Sequence, residues 1–378
     1  SEMCIRDSMT GNRECPRRTP TPGRQRFRLW PADSCDSMAT PGEQIAHQVR
    51  QVVPEMVRLR RELHAEPELA FQEVRTARRI CAYLEKLAGL TIRTGVAGTG
   101  IVATLHAGRP DRCVALRAEM DALPIAEQTG LAYASRQPGC MHACGHDGHV
   151  ACLVGAAIVL ARLADQLPGA VRFIFQPAEE EGAGAEQLCQ QGALDDPPVQ
   201  AIFAQHAWPE LPVGTIAVRA GAVLASTNPF TITVRGRGTH CATPHKGVDP
   251  ITAAAHIVLA LQTAAARQFD PCEPMTIAIG RISGGTAPNV IPDQCQIFGT
   301  IRTLASETRY RAVQCLEQVA RQTARAHGAS ASIRVEDGYP VLVNDAMLAE
   351  FVARTARQVL GPEAVREMEP ALGGEDFA

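Results

Sequence analysis

Apolar positions along most of the chain alternate between short continuous runs and longer stretches with helical spacing. From Gln44 to Arg61, Ile45, Val49, Val52, Val53, Met56, Val57 and Leu59 recur at mostly helical steps, which predicts a helix. A second resumes over Glu73–Leu87 after the Pro67 interruption. Thr91–Thr94 and Gly100–Leu105 read as strands across a glycine-rich turn, and Arg112–Arg117 as another that runs into Glu119-Met120-Asp121. A helix is expected over about 150–164. Ala170–Phe175 and Ala201–Gln205 are unbroken apolar runs of the kind found in strands buried on both faces. They lead into Gln176-Pro177-Ala178-Glu179-Glu180-Glu181-Gly182 and into His206. Acidic or imidazole residues therefore follow three strands, and in open α/β sheets the functional crevice lies beyond the carboxyl ends of the strands.

From Thr227 the texture changes. Pro229–Arg235 alternates as a one-sided strand, 250–269 is an Ala-rich helix, and 275–283 and 294–304 are strands. A helix over 306–327 and a strand over 331–335 complete the order β-α-β-β-α-β, the ferredoxin-like split unit. A further helix over 346–360 returns to the first domain. The expected fold class is α/β. Residues 38–224 are expected to form a first domain with a mostly parallel sheet flanked by helices. Residues 225–337 form an inserted α+β domain, and 338–378 return to the first.

Composition narrows the functions open to such a fold. Hydrophobic residues make up 46% and charged residues 20%, with a net charge of −3, so there is no basic footprint for nucleic acid. No apolar run reaches the roughly 18–20 residues of a membrane span. The 13 cysteines are odd in number, scattered, and mostly embedded in apolar runs (Cys81, Cys113, Cys152, Cys315), which suits reduced thiols in the cytoplasm. Ser1–Ser37, rich in Arg, Pro, Ser and Cys, has neither helical nor strand periodicity and reads as a disordered or non-native leader, with Met38 a natural start.

One stretch concentrates chemistry. Met141-His142-Ala143-Cys144-Gly145-His146-Asp147-Gly148-His149 brings a thiol, three imidazoles and a carboxylate together, expected in a loop at the entrance to a buried helix. Thiolate and imidazole suit zinc, manganese, cobalt or nickel better than calcium or magnesium, so the stretch reads as half of a metal site.

Several motifs in series resemble the aminoacylase/hippurate hydrolase family of dinuclear metallo-amidohydrolases. They are Arg117-Ala118-Glu119-Met120-Asp121-Ala122-Leu123-Pro124, Met141–His149, Phe175–Gly182 and His206-Ala207-Trp208-Pro209-Glu210. Further along come Gly236-Arg237-Gly238-Thr239-His240 with Pro244-His245, Ala287-Pro288-Asn289-Val290-Ile291-Pro292 and Gly299-Thr300-Ile301-Arg302. The resemblance spans Gln44–Ala378, and the Ala-Cys-Gly-His-Asp-Gly-His form is similar to the hippuricase and auxin-conjugate hydrolase branch.

The resemblance implies metal ligation by Cys144, His146, Glu180 and His206, with Glu179 as general base toward a metal-activated water. It implies two divalent ions, manganese or zinc, with cobalt or nickel as alternatives. Asp121 and Asp147 would steady the ligands without touching metal; His142 and His149, from their place in the stretch, read as supporting the ligands or as structural. His240 would stabilise the oxyanion in a partner subunit's site, while Asn289 and Arg302 hold the substrate's carboxylate or carbonyl oxygens. The expected activity is cleavage of an N-acyl amino acid to a carboxylic acid and a free amino acid. It would be carried out by a cytoplasmic homodimer joined through the inserted lid domain, with domain closure over the substrate and no nucleic-acid or membrane partner. A dipeptidase or aminopeptidase of the same family, or a fold-retaining binding protein, is the alternative.

Two departures stand out. Glu119 occupies a position where the family commonly has Asp. The family's fifth ligand is a His well beyond Gly374-Glu375-Asp376-Phe377, so the chain ending at Ala378 reads as C-terminally truncated, with a weakened second metal position. His64, Pro67 and Glu68, between the first two helices, read as structural.

Overall fold

The computed structural model describes Glu2–Arg6 and residues 41–378. Glu2–Arg6, within the stretch read as a disordered or non-native leader, is a strand (β1). Strand pairing uses backbone donors and acceptors, so it needs no side-chain periodicity. The rest of that leader lies outside the described residues. The chain falls into two compact units, one within residues 41–208 and one comprising β1 with Pro209–Ala378.

The first unit begins with helices α1 (Pro41–Ala65) and α2 (Val74–Leu84). Strands β2 (Leu90–Val96), β3 (Gly100–Leu105) and β4 (Arg109–Glu119) follow. Next come α3 (His146–Arg162), β5 (Gly169–Gln176), α4 (Gly184–Gln190) and β6 (Ala201–His206). The strands lie in the order β6-β4-β5-β3-β2. β4 runs parallel to β5 and β6, and β3 runs antiparallel to both β5 and β2. The sheet is thus mixed, with its parallel part carrying the three strand ends that the sequence singled out.

Every residue of β5 is buried, as expected of a central strand. Phe173 and Phe175 join Val150, Val154 and Ala157 of α3 and Met56, Leu59 and Leu63 of α1 in one core. Burial of each such side chain contributes roughly 1.5–3 kcal/mol. α1 approaches α3 at Gly155, where an added Cβ would meet Met56 Cγ at 3.1 Å.

α3 begins at His146, four residues before the start expected from its apolar run. His146, Asp147 and His149 therefore sit on the first helical turn and not in a loop. The cause is local: Gly145 turns the chain at φ 92°, a left-handed value that glycine tolerates, and Asp147 places negative charge in the first turn. α4 was not expected from the sequence.

The second unit opens with β7 (Ile216–Ala217), β8 (Gly221–Leu224) and β9 (Ser226–Arg235). Then come β10 (Thr239–His240), α5 (Pro250–Gln268), β11 (Met275–Gly284), β12 (Val290–Ile291) and β13 (Gln294–Thr303). It continues with α6 (Ser306–Ala326), β14 (Ser330–Val335), β15 (Leu342–Asn344), α7 (Ala346–Leu360) and β16 (Val365–Arg366). β11, β13, β9 and β14 form an antiparallel sheet in that order, the ferredoxin-like arrangement expected for β-α-β-β-α-β. Phe230, Ile232 and Val234, alternate residues of β9, face a core shared with Ile257 and Leu261 of α5 and Leu316 of α6. Asp249 caps α5 by accepting from the Ile251 and Thr252 amides. β7 pairs in parallel with β1 and with β16. Among the described residues no helix is long and apolar enough to cross a membrane.

Candidate metal centre

The three parallel strands of the first unit deliver the ends of their chains to one place. Beyond β4 lies Asp121, beyond β5 the pair Glu179-Glu180, and at the end of β6 His206, while the first turn of α3 supplies His146. Cys144, His146 and His206 bring ligand atoms within 4.8 Å of one another, and so do His146, Glu179 and Glu180. His146 belongs to both groups and joins them.

Hydrogen bonds decide which ring nitrogen each histidine offers. His146 Nδ1–H donates to the Asp121 carbonyl at 2.9 Å, leaving Nε2 buried, without a hydrogen-bond partner, and 4.0 Å from Glu180 Oε1. His206 Nδ1–H donates to the Ala207 carbonyl at 2.7 Å, leaving Nε2 3.3 Å from Cys144 Sγ. The two Nε2 atoms therefore point at a carboxylate and a thiol. Orienting Nε2 through a bond at Nδ1 is how ligating histidines are usually fixed.

The electrostatics agree. Burial opposes a charge on His146, but Asp121, Cys144 and Glu119 outweigh it and hold the imidazole well above its ordinary pKa. The position of the Nε2 proton therefore favours a cation. Burial lifts the Cys144 thiol above its usual value against the pull of His146, and burial lowers His206. Cys144 would bind a divalent ion as the thiolate, because the ion's charge stabilises the deprotonated sulfur.

Around this set lies a buried support. Asp121 Oδ2 accepts the Glu180 amide at 2.9 Å. Asp147 Oδ2 accepts from His64 Nδ1 at 2.7 Å and from Arg60 Nε at 2.9 Å. Arg117 pairs with Glu119, whose other oxygen takes His149 Nδ1–H at 2.8 Å. His149 Nε2 then accepts the Ala207 amide at 2.8 Å. Both nitrogens of His149 are thereby occupied, whereas both of His142 are buried without partners, and burial takes that imidazole down to about 4. Ala178, just before Glu179, is held at φ 52°, a left-handed conformation that costs a non-glycine residue about 1–2 kcal/mol.

The sequence profile of peptidase family M20/M25/M40 matches residues 115–378. The chain belongs to this family. N-acetylcysteine deacetylase of Bacillus subtilis is 40% identical over 323 residues, 85% of this chain and 84% of that protein. IAA-amino acid hydrolase ILR1-like 2 of Arabidopsis thaliana is 40% identical over 327 residues, 85% of this chain and 73% of that protein. Among solved structures, Bacillus subtilis YXEP, described as a dinuclear metal binding peptidase of the M20 family, superposes with a TM-score of 0.75 at 37% identity. That match covers 87% of this chain and 85% of the other.

As a hydrolase of the M20/M25/M40 family, the chain carries its remaining candidates in the second unit. His240 on β10 lies opposite Val290 of β12, the neighbour of Asn289, and the Cys241 amide donates to the Asn289 carbonyl at 3.0 Å. The structure thus brings His240 and Asn289 to one exposed two-stranded ribbon. His240 Nδ1 accepts the Ala242 amide at 3.0 Å, which puts the proton of the neutral ring on Nε2 and makes that end a donor. Arg302 on β13 is half-buried and donates from Nη1 to the Leu372 carbonyl at 3.2 Å.

Sequence reasoning passed over Arg117, Glu127 and Glu73. Arg117 and Glu73 are buried charged residues, and for Arg117 alone its place in the apolar part of β4 is a signal that could have marked it. Glu127 meets His64 Nε2 at 3.3 Å.

Proposed function

We propose that the chain is a metal-dependent amidohydrolase that cleaves the amide of N-acyl amino acids to a carboxylic acid and a free amino acid. The observation that carries this reading is the buried, unpartnered Nε2 of His146, aimed at Glu180 within a set that also holds Cys144 and His206. Two imidazoles, a thiolate and a carboxylate fit manganese or zinc, with cobalt or nickel as alternatives, and the four residues would hold two ions between them. When bound, the ions supply Lewis-acid activation of water and of the amide carbonyl.

The protein's own residues account for the rest. Glu179, buried beside ligand Glu180, takes the proton of the attacking water and returns it to the leaving nitrogen. His240, with its donor end exposed, supplies a hydrogen bond to the developing oxyanion in the site of a partner copy. Asn289 and Arg302 bind the substrate's carboxylate or carbonyl oxygens, Arg302 through its planar fork. Asp121 and Asp147 hold the ligands in orientation. The body within 225–337 acts as lid and dimerisation domain, with 38–224 and 338–378 as the catalytic domain. The buried Cys113, Cys140, Cys295 and Cys315 are free thiols, which supports a cytoplasmic setting.

The relatives named for N-acyl cysteine and amino-acid conjugates support the substrate class. The test compares N-acetyl and N-benzoyl amino acids with the matching dipeptides, using the purified protein with added manganese or zinc. Release of acetate or benzoate, with dipeptides cleaved poorly, is expected. Preferential cleavage of dipeptides, or no turnover by folded, metal-loaded protein, would sink the reading.

A further inference from the structure

The segment from His64 to Glu73, which joins α1 to α2, touches the chain beside His146, beside Asp121 and beside the Glu179-Glu180 pair. His64 Nδ1–H donates to Asp147, the neighbour of His146, at 2.7 Å. The Glu68 carbonyl accepts the amide of Ala122, the neighbour of Asp121, at 2.8 Å. Glu73 Oε1 accepts the amide of Ala178, the neighbour of Glu179, at 2.9 Å. Phe71 lies so close to Gly182 that an added Cβ there would meet Phe71 Cε2 at 2.4 Å.

Glu73 is the unusual member. It is fully buried and occupies the N-cap of α2, yet its side chain makes no capping hydrogen bond. Glu68 does that work from outside the helix, its Oε2 accepting the Thr76 amide at 2.9 Å and its Oε1 the Arg75 amide at 3.2 Å. The Glu73 carboxylate is thereby released to reach across the fold. Thr99, in the turn between β2 and β3, donates its hydroxyl to Oε2 and fixes the carboxylate's orientation. Oε1 then holds the amide of Ala178, whose carbonyl accepts the Gly184 amide at 3.1 Å. Both polar groups of a residue in the left-handed region are thus clamped, as a strained backbone requires if it is to persist.

We propose that Glu73 is a positioning residue of the metal centre, holding Ala178 in the turn that sets Glu179 and Glu180 side by side after β5. Its consequence for metal binding and turnover rests on the function proposed above; its effect on the turn does not. Glu73→Ala removes the clamp, whereas Glu73→Gln keeps an oxygen for the Ala178 amide and an amide group for Thr99.

The test measures hydrogen–deuterium exchange of peptides spanning 177–183 in metal-free protein, then zinc affinity by competition with a chromophoric chelator, then kcat and KM. In Glu73→Ala, at a temperature where its circular dichroism matches wild type, exchange in this stretch accelerates roughly tenfold or more and zinc affinity falls roughly 10–100-fold. Loss of rate appears in kcat more than in KM, and Glu73→Gln restores wild-type behaviour. Wild-type exchange, or faster exchange with unchanged zinc affinity, would overturn the proposal. If Glu73→Ala does not fold, Thr99→Val carries the test: faster exchange over 177–183 supports the clamp and unchanged exchange overturns it. A wild-type protein that binds no zinc and hydrolyses nothing, with exchange still governed by Glu73, would refute the proposed function and leave the clamp standing.

Discussion

His146 donates from Nδ1 to the backbone carbonyl of Asp121 at 2.9 Å, and this bond turns its other nitrogen toward Glu180. The acceptor is a backbone atom at the end of β4, and Asp121 Oδ1 lies 3.3 Å from the same Nδ1, so backbone and side chain of Asp121 together set the ring's orientation. His146→Ala should therefore abolish tight zinc binding, measured by elemental analysis after dialysis. His149→Gln, which removes a ring whose nitrogens are already occupied, should retain zinc with affinity reduced about 10–100-fold. Equal loss in both variants would contradict this division.

Glu179 and Glu180 are neighbours with different expected tasks. Glu179→Gln should keep its zinc and lose about 10²–10⁴-fold in kcat, the usual worth of a general base. Glu180→Gln should lose zinc as well. Metal content and kcat measured on the same preparations separate the two.

His64 gives a pH test of the support beneath α3. The hydrogen bond to Asp147 lifts the His64 imidazole above its ordinary value of 6.5. A group whose folded pKa is raised contributes stability fully below its unfolded pKa and loses it as pH climbs through the folded value. The urea midpoint of wild type should exceed that of His64→Gln most at pH 5.5–6, about the lower edge of this range, and the gap should shrink above pH 6.5. A gap that widens with rising pH would show that His64 is neutral in the fold.

If His240 works in a partner's site, two dead variants should rescue one another. Glu179→Gln mixed with His240→Ala and allowed to exchange subunits should recover about a quarter of wild-type activity, since half the dimers are mixed and each carries one intact site. No recovery in demonstrably mixed dimers would place His240 elsewhere in the mechanism.

What the sequence made legible follows from which forces act locally. Continuous apolar runs marked β5 and β6, and alternation marked β9, because side-chain periodicity reports burial directly. Cys144, His146, Glu180 and His206 were readable as ligand-type residues next to such elements, and the fold brings them together. The start of α3 was misplaced because Gly145 initiates the helix through a backbone conformation, while the expected boundary followed the apolar run. Glu73 was passed over for a different reason. Its partners, Thr99 and Ala178, lie 26 and 105 residues away, and nothing in its neighbourhood distinguishes a buried clamp from a solvated helix start.

The most direct test of the metal centre is anomalous diffraction from crystals grown with zinc, recorded on either side of the zinc edge. Two peaks are expected among Cys144, His146, Glu180 and His206, with His146 Nε2 coordinated and His149 outside the coordination sphere. The groups Glu119, His146 and His149 also bring their ligand atoms within 4.8 Å of one another. A single peak there, or no ordered zinc near His146, would contradict this expectation.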